Sequence, residues 1–162
     1  MGDDLFIKRS ADFSLDWKYR YTLIREWDEH RPRCLFILLN PSTADAEHDD
    51  PTNRRGISYA FDWGYGACVF CNLFAYRTPH PKVMKAEPEP IGPDNDSWIL
   101  KEHAKADVTV AAWGTHGVHK GRDKQVLELL PTVHHLGLTK HGHPKHILYL
   151  PKILTPQNWR IK

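Results

Sequence analysis

The sequence predicts an α/β protein, a three-layer α/β/α sandwich with a mainly parallel four-stranded sheet that is preceded by antiparallel strands at the amino terminus. Two observations predict this class. Short, unbroken apolar runs recur along the chain, as in parallel strands that are covered on both faces. Each run is followed by a polar loop and then by a segment with helix start signals. The 162 residues suffice for one domain, 1–162, with a hydrophobic core of its own.

The amino-terminal segments predict antiparallel strands. Leu5–Arg9 and Trp17–Trp27 alternate apolar with polar residues, the second with Trp17, Tyr19 and Tyr21 on one face. This alternation is typical of strands with one face in water. We therefore expect a hairpin or an antiparallel edge before the main sheet.

The segment 33–55 shows the strand, loop and helix pattern most fully. Cys34–Leu39 is an unbroken apolar run, and Asn40-Pro41 ends it, because proline fixes its own backbone and disfavours helix for the residue before it. Asp50-Pro51 then predicts the start of a helix that runs to Trp63, with the carboxylate capping free amides. In open α/β sheets, ligands bind where such loops leave the carboxyl ends of the strands.

The rest of the chain repeats this alternation. A second buried strand, Ala67–Phe70, leads to Asn72, whereas Pro79–Pro93 contains five prolines and predicts a long surface loop without regular structure. The remaining predicted elements are a helix from Asp94 to about Ala106, a strand from Val108 to Trp113, a helix from about Gly121 to Leu130, and a strand from Thr132 to Leu136. The strand ends should bring polar residues to one rim, namely Asn40, Asp45, Asn72, His116, and His143 or His146.

Cysteine usage and the apolar runs indicate where the protein works. Cys34, Cys68 and Cys71 all lie in strand-like runs, so reduced core thiols are the favoured interpretation, although Cys68-Val-Phe-Cys71 has metal-site spacing. The amino terminus lacks a basic stretch before an apolar one, and no apolar run reaches about 18 residues. We expect a soluble, cytoplasmic protein without a membrane partner.

The charge is unevenly distributed along the chain. The net charge is +2, but the part from Gly114 onward holds eight lysines and arginines against two acidic residues. Seven of the eleven histidines lie in the same part. A basic carboxyl-terminal third favours a polyanionic partner such as a nucleic acid, and an ordinary solvated face is the alternative.

Four short segments resemble motifs of the uracil-DNA glycosylase superfamily. Leu39-Asn40-Pro41-Ser42 resembles its first motif, which reads GINPG in the mismatch-specific and thymine branches and GQDPYH in another. Phe70-Cys71-Asn72-Leu73 resembles the strand whose last asparagine reads the base. Ala112–His116 resembles the strand-end motif WG-x-H, and His143–Leu150 resembles the last motif, HPSPLS. The order and spacing agree over about residues 33 to 150.

The chain is also identified as a member of a bacterial and phage family, the domain of unknown function numbered 1643. The strings that carry this identification are LNPSTAD, DPTNRR, WGYG, NLFAYR, GPDND and AAWG. They are spread from residue 39 to residue 114.

The glycosylase resemblance implies an enzyme that hydrolyses the N-glycosidic bond of a damaged, mispaired or modified base in DNA, bulky hypermodified bases included. It implies DNA as the partner, single-stranded or modified phage DNA among the candidates, a monomeric protein, and neither a cofactor nor a metal. The implied catalytic residues are Asn40, Asp45, His143 and His146. The implied base-binding residues are Asn72, Pro41, Ser42 and Tyr65. The basic carboxyl-terminal third and its glycine-flanked turn add expected DNA-binding residues, namely Thr115, His116, Lys120, Arg122 and Lys145.

Two departures from the superfamily pattern concern the chemistry. The first motif has Asn40 where one branch has aspartate, which implies that an amide positions the water, with Asp45 as a nearby base. The last motif has two registers, because His143 keeps the His-Pro dipeptide whereas His146 keeps the distance to Leu148. Two further classes of function stay open, an enzyme on nucleosides, nucleotides or RNA, and a non-catalytic nucleic-acid-binding module.

Overall fold

The computed structural model describes residues 7–159, which form seven strands, four α-helices and one 3-10 helix. In chain order these are β1 (Lys8–Phe13), β2 (Arg20–Glu26), β3 (Arg33–Leu38), α1 (Pro51–Asp62), β4 (Ala67–Asn72), α2 (Pro81–Ala86), α3 (Asn95–Lys105), β5 (Val108–Ala111), the 3-10 helix (Thr115–Gly121), α4 (Arg122–Leu129), β6 (Val133–His135) and β7 (Gln157–Trp159). None of the helices in this range is long and apolar enough to cross a lipid bilayer.

The seven strands form one mixed sheet in the order β1-β2-β4-β3-β5-β6-β7. The pairs β4-β3, β3-β5 and β5-β6 are parallel, whereas β1-β2, β2-β4 and β6-β7 are antiparallel. The prediction of a mainly parallel, four-stranded sheet is therefore wrong for the sheet as a whole, which has seven strands in mixed directions, although the four central strands are parallel and the amino-terminal strands are antiparallel. The physical reason is that hydrogen bonding continues past both edges, onto the amino-terminal hairpin and onto β7.

Helices cover both faces of the central strands. Alternate residues of β3 point to opposite sides, so that Phe36 packs with Ile57 of α1 while Ile37 packs with Ile99 of α3 and Val126 of α4. All five side chains are at most 2% exposed. Each contributes about 1.5–3 kcal/mol through burial, which makes these two layers the main source of stability.

Several predicted elements are confirmed and two segments were predicted wrongly. Helix α1 begins at Pro51 as predicted, and the Asp50 carboxylate accepts a hydrogen bond from the Asn53 amide at 2.8 Å. The segment Pro79–Pro93 contains α2, contrary to the prediction, because Pro81 occupies the first helical position, where its missing N–H costs nothing. Strand β7 was not predicted. Leu5 and Phe6, the first two residues of the predicted strand Leu5–Arg9, lie outside the described residues.

The three cysteines are buried in the core with free thiols, as predicted. Burial raises the pKa of Cys34, Cys68 and Cys71, because a thiolate loses its hydration there. Within residues 7–159 no group of three or more His, Cys, Asp and Glu side chains is placed to hold a metal ion. Cys68 and Cys71 both lie in β4, where their side chains are buried.

A buried ion pair fixes the loop that follows β3. The Arg25 side chain of β2 is fully buried and donates from Nε to the Asp49 carboxylate at 2.9 Å, and from Nη2 to the Asp45 carbonyl at 2.7 Å. Arg9 of β1 donates to the other Asp49 oxygen at 3.1 Å. The amino-terminal hairpin therefore holds the loop in place, which positions the start of α1.

Gly56→Ala in α1 is expected to destabilise the protein by about 1–3 kcal/mol through overpacking. At a solvent-exposed position inside a helix, a change from glycine to alanine stabilises the protein by about 1 kcal/mol. Here a methyl group at position 56 would lie 2.6 Å from Cε1 and 2.7 Å from Cζ of the buried Phe70 ring. Urea unfolding measures the difference, with Arg54→Ala on the exposed side of α1 as the control. A gain in stability for Gly56→Ala would contradict the packing of α1 on β4.

Candidate ligand-binding site

A cavity of about 450 Å³ opens at the carboxyl ends of β3, β4 and β5. Asn40 follows β3, Asn72 ends β4, and Trp113 follows β5, so three parallel strands deliver one polar or aromatic side chain each. The first turn of α1 forms another wall. The lining consists of Arg20, Leu38, Leu39, Asn40, Pro41, Ser42, Asp50, Thr52, Asn53, Asn72, Thr78, Pro79, Pro81, Trp113, Gly114, Thr115, His116 and His146.

Asn72 is the most informative side chain of the cavity. It is 1% exposed, yet neither its Nδ2 nor its Oδ1 has a hydrogen-bond partner among the described residues. Its backbone carbonyl is held by the Asn95 amide at 2.9 Å, which fixes the end of β4. A buried amide without partners costs about 1–3 kcal/mol, so such groups are usually satisfied by water or by a ligand. The Asn72 amide is thus suited to a ligand that presents an adjacent donor and acceptor.

Three more buried atoms at the cavity have no hydrogen-bond partner in the described part of the chain. They are Arg20 Nε, Asn53 Oδ1 and Trp113 Nε1. Arg20 is anchored by its Nη1, which donates to the Ala44 carbonyl at 3.0 Å. Burial lowers the pKa of Arg20 to about 10, and the nearby Asp50 carboxylate opposes this, so the guanidinium stays charged at neutral pH. Residues of the cavity wall therefore carry two unpartnered donors and one unpartnered acceptor besides those of Asn72.

Asn40 and Asp50 supply oxygen acceptors to the same cavity. The Asn40 amide nitrogen donates to the Thr78 carbonyl at 2.7 Å, which leaves its Oδ1 as the atom available to a ligand or a water. Asp50 uses one carboxylate oxygen to cap α1 through the Asn53 amide, and the carboxylate lines the cavity. Two side chains able to orient a water molecule are thus present.

His146 lies at the rim of the cavity, and contacts of Pro144 and Ile147 on either side hold its loop in place. The Pro144 carbonyl accepts a hydrogen bond from the Gly114 amide at 2.8 Å, which ties the loop to the end of β5, and Ile147 is buried in the core. The Leu148 amide donates to Nδ1 of His146 at 3.1 Å, so the neutral ring carries its proton on Nε2. Loss of water around the ring lowers the pKa of His146, and the Asp50 carboxylate opposes this.

If His146 Nε2–H is the donor to a leaving group, activity should persist below the ordinary histidine pKa of about 6.5. The lowered pKa of His146 means that protonation occurs only in more acidic solution, and there the ring can no longer accept the Leu148 amide at Nδ1. A pH–rate profile should show this acid limb in the wild type and in His143→Gln. The limb should move or vanish in His146→Gln. An acid limb that moves in His143→Gln but not in His146→Gln would contradict the role of His146 as the donor.

Several residues implied by the resemblance lie at the cavity and others do not. Pro41, Ser42, Thr115 and His116 line it, together with Asn40, Asn72 and His146. His143 lies outside the lining, in a turn in which its carbonyl accepts from the Thr139 amide at 2.8 Å. Lys120 and Lys145 are exposed and also lie outside the lining.

Asp45 does not line the cavity, contrary to the expectation from sequence. Its carboxylate accepts the backbone amides of Glu47 at 2.9 Å and of His48 at 2.8 Å, and it contacts the His48 ring at 3.0 Å. These bonds, the Glu47 amide first, lower the pKa of Asp45. An aspartate that caps its own loop in this way has a structural role, and Asp50 occupies the position at the cavity instead.

Tyr65 and Arg122, which were also predicted to contact the ligand, do not line the cavity either. Tyr65 lies between α1 and β4, at the amino ends of the parallel strands and thus at the opposite edge of the sheet, because α1 returns the chain to that edge. Arg122 is 1% exposed. Its Nε donates to the Leu73 carbonyl at 2.7 Å and its Nη2 pairs with Asp96 at 2.6 Å. It is a buried structural arginine and cannot reach a phosphate.

Arg20, Asp50 and Asn53 were missed as site residues. Arg20 lies in an alternating strand, where its position predicted exposure, yet its side chain is buried against the loop that follows β3, where the Ala44 carbonyl accepts its hydrogen bond. Asp50 was recognised only as a helix cap. The signal that was available is the string DPTNRR, which starts at Asp50 directly after the polar loop.

The fold and the cavity define an α/β protein with a polar ligand-binding cleft at the carboxyl edge of its parallel strands. The chain belongs to the family described as "Protein of unknown function (DUF1643)", whose model matches residues 20–148. No curated protein and no solved structure matches the chain.

Proposed function

We propose that the protein is a DNA glycosylase-like hydrolase that cleaves the N-glycosidic bond of a damaged, mispaired or modified base. The observation that carries the proposal is the buried Asn72 amide, whose donor and acceptor both lack partners at the cavity. The edge of a nucleobase presents donors and acceptors side by side, so it can satisfy both atoms of one amide at once. A base flipped out of the DNA stack would enter the cavity and pair with Asn72.

The residues around Asn72 suit the chemistry of this bond. As the C1′–N bond breaks, its electron pair leaves with the base, and positive charge builds on the sugar. Asn40 Oδ1 and the Asp50 carboxylate would orient a water whose oxygen forms the new bond to C1′, with its proton taken up by Asp50. The Nε2–H of His146 would donate a hydrogen bond to the departing base, which finally gains the proton derived from water.

The motifs that resemble the uracil-DNA glycosylase superfamily support the proposal from the sequence side. Each of the four motifs contributes to the lining, through Asn40, Asn72, His116 and His146 respectively. Residues distant in sequence would meet at one cavity if the motifs were parts of a single site. Four segments that are distant in sequence thus each place one residue at the same cavity.

A hydrolase of free nucleotides is the second candidate, and Arg20 is the observation that favours it. A charged guanidinium with an unpaired Nε at the cavity suits an anionic group such as a phosphate. The Asp50 carboxylate nearby partly offsets this charge, which favours the neutral base of a DNA strand. The third class is a module that binds nucleic acid without chemistry. Such a module needs neither a proton acceptor such as Asp50 nor a proton donor such as His146 at the cavity.

A base-release assay tests the proposal. DNA that carries uracil, mismatched, damaged or hypermodified bases is incubated with the protein, single-stranded and duplex, and released bases are identified by mass spectrometry; free nucleotides form a parallel set. Protein made in a host without its own uracil-DNA glycosylase, and an Asn72→Leu sample prepared identically, exclude contaminants. Release of a base together with abasic sites supports the proposal. Release from nucleotides alone favours the second candidate, and no release from any substrate overturns both.

A further inference from the structure

A second groove of about 510 Å³ adjoins the cavity on the side of the amino-terminal hairpin. We call it the Trp17 groove, and its lining consists of Trp17, Lys18, Ser42, Thr43, Tyr76, Arg77, Thr78 and Pro79. Ser42, Thr78 and Pro79 line the cavity as well. A chain that occupies the cavity can therefore continue directly into the groove.

Trp17 is held in an unusual backbone conformation with its indole in water. Its φ is 62°, in the left-handed region that bulky residues rarely adopt, and the residue is 60% exposed. The backbone is held on both sides, since the Trp17 amide donates to the Ser14 carbonyl at 3.0 Å and Arg77 donates to the Trp17 carbonyl at 3.2 Å. Strain of this kind persists where the surrounding structure enforces it, and it concentrates at functional sites.

Aromatic rings and a cation form a layered support beneath this indole. The Phe13 and Trp17 rings lie with centroids 4.4 Å apart, and the Arg77 guanidinium lies 4.6 Å from the Phe13 centroid. Phe13 therefore holds Trp17 in place through one ring contact, while much of the indole stays free. An ordered, exposed aromatic face is a platform on which a nucleic-acid base stacks.

The charges of the groove suit a phosphate backbone. Lys18 and Arg77 are its charged lining residues, and Arg77 Nε is buried without a hydrogen-bond partner among the described residues. Lys18 pairs with Glu87 at 2.9 Å, but Glu87 lies outside the lining. Asp16 is engaged by the Ser14 hydroxyl at 2.7 Å. Two cations next to an aromatic platform are typical of sites that bind single-stranded nucleic acid.

We propose that the Trp17 groove binds the DNA strand next to the nucleotide in the cavity, with a flanking base stacked on Trp17 and the adjoining phosphates near Lys18 and Arg77. This inference rests on the proposed function, because the flipped base sets where the strand enters. The proposed main contact with nucleic acid is thus the amino-terminal hairpin. The sequence had favoured the carboxyl-terminal third, where Arg122 is in fact buried.

Fluorescence anisotropy with a labelled 12-nucleotide single strand tests the groove. Trp17→Ala should weaken binding about 5- to 100-fold, as expected for one lost stacking contact. Trp17→Gly removes the indole in a residue that adopts the positive φ without strain, so it should give the same loss with the fold intact. Leu15→Ala, in the same turn and fully exposed, is the matched control and should bind as the wild type does.

Lys18→Gln adds a readout that a disturbed turn would not give. For a single strand, each neutralised phosphate contributes about 0.7 to the slope of log affinity against log salt, so the variant should lower the slope by about this amount. Unchanged affinity for Trp17→Gly contradicts the proposed base stacking in the groove, and an unchanged slope for Lys18→Gln contradicts the proposed phosphate contact. Equal losses for Leu15→Ala and Trp17→Gly overturn the groove too, because the effect would then belong to the turn.

The base-release assay separates this inference from the proposed function. If the wild type releases a base but Trp17→Gly binds the strand normally, the Trp17 groove is not the DNA-binding site and the glycosylase proposal stands. If no base is released but Trp17→Gly still weakens binding, the glycosylase proposal fails and the groove stands as a single-strand site alone. If duplex DNA binds through the groove more tightly than the single strand, the occupant we propose is wrong.

Discussion

Asn72→Leu is expected to slow base release by about 10³-fold or more while leaving the protein about as stable as the wild type. Leucine has nearly the shape of asparagine but neither donor nor acceptor, so a base edge in the cavity would lose both of its hydrogen bonds. In the free protein the Asn72 amide has no partner among the described residues, so its removal breaks no internal bond. The change in unfolding free energy should stay within about 1 kcal/mol.

Single-turnover base release and thermal melts measure the two quantities side by side. Asn158→Leu makes the same chemical change in β7 at an exposed position and should leave base release unchanged. A large loss of stability in Asn72→Leu would mean that the amide holds the fold together. Normal base release in a stable Asn72→Leu would remove the base-reading role of Asn72.

Asp50→Asn is expected to slow base release by about 10²- to 10³-fold, or roughly 3–4 kcal/mol in the barrier, because the amide cannot take up the proton of the water. The fold should tolerate the change, since asparagine caps helices about as well as aspartate. The Asp50 carboxylate caps α1 through one hydrogen bond to the Asn53 amide, which the asparagine carbonyl oxygen can accept equally well.

Asp45→Asn is the matched control for this experiment. The two aspartates lie in one loop and the substitution is identical, but Asp45 points to the Glu47 and His48 amides and not into the cavity. Base release by Asp45→Asn should therefore remain close to that of the wild type. The assignment of Asp50 is wrong if Asp45→Asn is the slower variant, and Asn40 alone orients the water if both variants are fully active.

Much of the central architecture followed from local patterns. Unbroken apolar runs marked the strands that are covered on both faces, and the Asp50-Pro51 start of α1 was read from capping chemistry. Asn40 and Asn72 could be expected at one edge because parallel strands point their carboxyl ends in the same direction. These features depend on neighbours in sequence or on chain direction, and both are visible in a single sequence.

Features that depend on distant partners could not be read in this way. Period-two alternation predicted the antiparallel amino-terminal strands but not their pairing with β4, and the short strand β7 beyond β6 was missed. Arg20 and Arg122 looked exposed because their own segments are polar, and they are buried because other segments cover them. Asp45 and Asp50 lie in one polar loop, and His143 and His146 lie in another, so the sequence did not show which member of each pair faces the cavity. The Arg25–Asp49 pair and the Gly114–Pro144 hydrogen bond decide which of them face the cavity, since contacts between residues far apart in sequence orient each loop.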